Sequence, residues 1–118
     1  STISAKRSVS ADVLRNKIFS LVADFNRNFK TDVKIDHNML VILDDFKGSE
    51  YHIPTTESVD LAKRFFRTSS ILFDPIYTAK AFHGYFENFI QNKNRSKVIF
   101  LHTGGLFGIF PKRNFYLD

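Results

Sequence analysis

Residues 71–82 read ILFDPIYTAKAF, and the reading of this stretch decides the fold. An apolar run, Ile71-Leu72-Phe73, meets Asp74-Pro75, after which Phe82, Tyr85, Phe86, Phe89 and Ile90 recur at helical spacing. A short apolar run closed by turn residues reads as a strand, and the later periodicity reads as a helix. The hydroxyls of Tyr77 and Thr78 stand where one hands over to the other. In open α/β sheets that junction is where ligands gather. Thr78 serves there either as a helix cap or as a ligand contact.

Working outward, the same alternation repeats. Leu14, Ile18, Leu21, Val22, Phe25 and Phe29 mark a helix that Ser8 or Ser10 would cap, because a short hydroxyl satisfies an orphan N–H of the first turn. Asn38 to Phe46, NMLVILDDF, is rich in apolar residues and reads as a buried strand. Pro54-Thr55-Thr56-Glu57 carries helix start signals ahead of Leu61, Ala62, Phe65 and Phe66. Lys97 to Gly105, KVIFLHTGG, reads as a strand running into a glycine pair. Strands alternating with helices predict parallel βαβ units, hence an α/β fold in one unit spanning residues 1–118. Three or four strands make a thin sheet, and a parallel sheet needs cover on both faces. Such a unit is expected to dimerise or to dock on further sequence. The opening STIS, with no initiating Met, also suits part of a larger fold.

The totals set bounds. A chain of 118 residues supports one modest domain, burying roughly two-thirds of its unfolded surface. No apolar run reaches the length of a membrane span, and no signal-peptide pattern opens the chain. The absence of cysteine removes disulfide and thiolate chemistry and fits a cytoplasmic setting. The formal charge of +5 is spread among interleaved acids, whereas a nucleic-acid binder gathers its charge on one face. Neither nucleic acid nor membrane is therefore an expected partner. His37, His52, His83 and His102 lack metal-ligand spacing, so no metal site is expected. The glycines after His102-Thr103 would let backbone approach an anion or a flat ring, although they match neither the P-loop nor the dinucleotide fingerprint.

In combination these residues say more. FDPIYTAKAFHGYFE (73–87) followed by VIFLHTGGLFG (98–108) resembles the C-terminal part of one enzyme family. It is the pyridoxal-phosphate-dependent D-cysteine desulfhydrase and 1-aminocyclopropane-1-carboxylate deaminase family, of tryptophan-synthase-β-like fold type II. YHIPTTESVDLAKRFFRTSS (51–70) looks like the family's preceding loop and helix, with its Tyr-x-x-Pro, and TISAKRS (2–8) resembles a strand end before a family helix. The resemblance thus covers nearly the whole chain.

It implies a fold, a cofactor and a site. The fold would be a three-layer parallel-sheet fragment of the large, cofactor-binding domain. Tyr51 and Tyr77 would be catalytic phenols on the substrate side of pyridoxal phosphate, orienting a small amino acid or assisting proton transfer. Thr78 and Thr103 would lie near the pyridine nitrogen, and Gly104 and Gly105 would let the backbone pass close to the ring. The deaminases look to carry a Glu at the position of Thr78. A neutral Thr there stabilises no positive charge on the ring and so suits β-elimination of a good leaving group, the desulfhydrase side of the family. The family's Schiff-base lysine and phosphate loop lie upstream of everything matched here, in an N-terminal half missing from this chain. Lys80 aligns with a helix residue, at the surface or behind the site. The resemblance therefore implies a homodimeric lyase or deaminase of which this chain alone is inactive. The alternative is a truncated homologue acting as a non-enzymatic interaction module through its Phe-rich faces.

Overall fold

The structure, a computed structural model, describes residues 10–50, 52–93 and 97–117. The chain divides into two compact units, residues 1–44 and 45–118, where the sequence pattern suggests one.

In the first unit, helix α1 (Ala11–Phe29) starts on Ser10, whose hydroxyl accepts the Val13 N–H at 3.4 Å. Ser8 lies outside the described residues. The helix ends on Lys30 in the left-handed conformation. The Asn26 side chain then gathers the turn, accepting from Thr31 and Val33 and donating to the Val33 carbonyl. A short 3₁₀ turn, His37–Met39, is capped by the Asp36 carboxylate. No residue of α1 is buried, and Leu21, Phe25 and Phe29 are exposed.

In the second unit, helix α2 (Thr56–Ser69) begins on Thr55, whose hydroxyl accepts the Ser58 N–H at 3.4 Å and donates to the buried Ser58 Oγ at 2.8 Å. Helix α3 (Thr78–Tyr85) runs on into a π-helical turn, Phe86–Gln91. A 3₁₀ segment, Leu106–Phe115, kinked at Lys112, closes the chain. Leu61 and Ala62 of α2 pack against Ala79 and Phe82 of α3, with Phe73 between them. Phe73 is the hub of the rings: Phe65, Phe82, Phe100 and His102 lie 5.6, 4.7, 5.6 and 5.2 Å from it, centroid to centroid. Each buried Phe of this kind contributes about 1.5–3 kcal/mol of transfer free energy. Five rings sharing contacts therefore supply much of what holds this small unit.

The α/β expectation is overturned. Helix accounts for 58% of the described residues and none of them forms a strand, so the three-layer parallel sheet is absent. Met39 closes a 3₁₀ turn inside the first segment read as a strand, and residues 40–44 carry no regular element. Residues 71–73 and 97–103 do come side by side. Their link is ring packing and one side-chain bond, His102 to the Leu72 carbonyl, rather than a backbone ladder. The physical reason is that apolar, β-branched composition records a tendency to be buried without supplying what would bury it: Phe73 is buried among rings, whereas Val41, Ile71, Ile99 and Leu101 are exposed. A ladder requires a partner backbone in register, which the described residues do not provide.

Candidate functional site: the Asp74 turn against the glycine pair

The site is built from the turn that starts α3. The Asp74 carboxylate, 2% exposed, accepts the N–H groups of Ile76 (3.0 Å) and Tyr77 (2.8 Å) on Oδ1, and the Thr78 N–H (2.8 Å) on Oδ2. These are orphan donors of a first helical turn, and a carboxylate answers both their hydrogen bonding and their partial positive charge. Pro75 has no N–H to satisfy, which suits it to the first position after the cap. The Thr78 hydroxyl donates to Asp74 Oδ2 at 2.5 Å and accepts the Asp74 N–H at 2.8 Å, closing the turn on itself. The Ala79 N–H reaches back to the Asp74 carbonyl at 2.9 Å, so the opening turn is wider than an α turn. Burial alone would raise the Asp74 pKa. The Thr78 hydroxyl, with the amides of Thr78, Tyr77 and Ile76, reverses that and holds it below the ordinary 3.8.

The second motif lands on the first. Gly105 has φ +83°, and a Cβ there would sit 3.1 Å from Asp74 Oδ2, so glycine is required both by conformation and by closeness. His102 stacks on Phe73, and its ring bonds fix its tautomer. Nδ1 accepts the Gly104 N–H at 3.0 Å, so Nε2 carries the proton and donates to the Leu72 carbonyl at 2.9 Å. Tyr116 donates its phenolic proton to the Phe73 carbonyl at 3.0 Å. Burial, and secondarily the Asp74 charge, push its pKa up to about 12. The side chains of His102 and Tyr116 and the backbone of Gly105 thus converge on consecutive residues 72–74.

The six residues singled out from sequence are placed as follows. Tyr51 lies outside the described residues. Thr78 is 3% exposed and Gly105 packs on Asp74, so the structure joins these two through that carboxylate. Tyr77 is 54% exposed, with its backbone N–H in the turn. Thr103 is exposed, and Gly104 (φ +89°) faces open space. Lys80, aligned with the surface or behind the site, is buried, and its Nζ donates to the Lys47 carbonyl at 2.7 Å. Sequence reasoning gave no role to Asp74, His102 or Tyr116. Asp-Pro directly ahead of the helix was the available signal for the first; a lone Tyr and a lone His gave none for the others.

The described residues do not by themselves fit pyridoxal phosphate. The Thr78 hydroxyl proton is committed to Asp74, so it is not free to donate to a ring nitrogen. The buried lysine of this turn is bound to backbone carbonyls. Tyr77 and Thr103 are exposed, and Gly104 has room in front of it.

A search of protein families finds no matching family model, and no solved structure matches. Among curated proteins, the chain is 38% identical over 80 residues to a Thermotoga maritima protein provisionally named 1-aminocyclopropane-1-carboxylate deaminase. The match covers 68% of this chain and 25% of that protein, so the chain spans about a quarter of the length of the relative it matches.

Proposed function

We propose that residues 1–118 are the C-terminal part of a pyridoxal-phosphate-dependent lyase or deaminase acting on a small amino acid, and contribute one wall of its site. The observation that carries this reading is the seating of Gly105 on the Asp74 carboxylate. It brings the D-P-x-Y-T turn and the H-T-G-G turn, far apart in sequence, into direct contact. The similarity to the Thermotoga maritima protein supports the same enzyme class. In this reading Tyr51 and Tyr77 serve the substrate side, and Thr103 with Gly104 and Gly105 face the cofactor. Thr78 acts chiefly by holding the turn. The cofactor, when bound, supplies the electron sink; its lysine and phosphate loop would come from the N-terminal half.

The test is made on the longer protein that carries this segment. D-Cysteine is supplied and sulfide and pyruvate are measured, with ammonia from 1-aminocyclopropane-1-carboxylate measured beside it. Sulfide release that falls in Tyr77→Phe supports the reading. No product from either substrate overturns it and leaves the non-enzymatic interaction module. The 118-residue chain mixed with pyridoxal phosphate should show no saturable imine absorbance band, since none of its lysines matches the family's Schiff-base position.

A further inference from the structure

Lys80 is a charged side chain with only 6% of its surface exposed. It sits in the first turn of α3, two residues beyond Thr78. Its ammonium donates to the carbonyl of Lys47 at 2.7 Å and, at the long limit of 3.5 Å, to that of Glu50. Those carbonyls converge because the chain turns sharply at Gly48, whose φ is +78°. A Cβ at Gly48 would stand 3.0 Å from Thr55 Cγ2 and 3.3 Å from Lys80 Nζ. The loop is therefore shaped around the ammonium, which passes closely over a position without a side chain. Burial lowers the Lys80 pKa from the ordinary 10.5. A desolvated ammonium is costly unless bonded, so the carbonyls and the cation hold each other in place.

We propose that Lys80 is a positioning residue that ties the first turn of α3, and with it the Tyr77-Thr78 turn, to the 47–50 loop. The functional half of this statement rests on the enzyme reading above; the clamp itself does not. An apolar residue of equal length would keep the packing and lose the link.

The test uses the 118-residue chain without cofactor or substrate, so it can fail while the enzyme reading stands, and the reverse. Lys80→Met is compared with the native chain under limited tryptic digestion. Cleavage after Lys47 reads the loop, and cleavage after Arg67, inside α2, reads unfolding of the whole unit. Loss of a charge-assisted bond should raise cleavage after Lys47 by roughly tenfold or more relative to Arg67. Faster hydrogen exchange of the amides at 48–50 should accompany it. An unchanged ratio overturns the proposal. If both cuts accelerate together, the native chain decides: Lys80 must resist reductive methylation relative to the exposed Lys34, and equal labelling places the ammonium in solvent and refutes the clamp.

Discussion

Asp74→Asn tests the central turn with the least change of shape. The amide retains one acceptor, so the Ile76 and Tyr77 N–H groups keep their partner on Oδ1. On the other side an NH₂ now faces the Thr78 N–H and hydroxyl. The hydroxyl can turn to accept; the backbone N–H cannot. One buried donor left unsatisfied costs about 1–3 kcal/mol, and the remaining bonds lose their charge assistance. A total near 2–3 kcal/mol follows, which for a unit of this size lowers Tm by roughly 4–8 °C per kcal/mol. Thermal unfolding followed by far-ultraviolet circular dichroism measures it. The pH dependence supplies the sharper check. Because the folded-state pKa of Asp74 lies below 3.8, its contribution is complete above the unfolded pKa and is lost as pH falls through the folded one. The stability gap between native and variant chains should thus be flat from about pH 5 to 8 and shrink below about pH 4. A gap that persists unchanged into acid, or no gap at neutral pH, would refute the assignment of these four bonds. Thr78→Val should also cost less in the Asp74→Asn background than alone, since contacting partners are not additive.

Other outcomes follow from the same contacts. Phe73→Ala should cost about 3–5 kcal/mol, read from the urea midpoint, because it empties the centre of the ring cluster. Alanine at either glycine of the pair meets roughly 1–2 kcal/mol of left-handed strain. Gly105→Ala should destabilise more than Gly104→Ala, since only the former pushes a methyl against Asp74; equal thermal shifts would deny that close approach. Tyr116→Phe should lose about 1 kcal/mol. As its folded pKa is raised, that difference should hold below pH 10 and vanish as pH climbs towards about 12, seen by denaturant unfolding at stepped pH.

The helices were legible because their signals are local. Ser10 and Thr55 cap as their hydroxyls and spacing suggest, and the apolar periodicity of residues 14–29 and 61–66 matches α1 and α2. The strands were misread because Ile71-Leu72-Phe73 and Val98-Ile99-Phe100 have strand-like composition, while pairing depends on a partner that composition does not encode. In the site, the family resemblance set the two motifs around one cofactor ring, but not in direct contact with each other. Gly105 against Asp74 joins residues 31 positions apart (105 − 74), and nothing in either motif states that distance. The role of Thr78 is split for a similar reason. A hydroxyl can cap or contact a ligand, and only the position of Asp74 Oδ2 shows where its proton goes.

The ring of His102 has one further consequence, for its reactivity toward electrophiles. A neutral imidazole attacks acylating reagents through the lone pair of its unprotonated nitrogen. In His102 that lone pair is engaged by a backbone amide, and the other nitrogen holds its proton against a carbonyl. Diethyl pyrocarbonate should therefore modify the exposed His37 and His52 first and spare His102, making the acylation pattern of four histidines a chemical fingerprint of whether the glycine turn is folded.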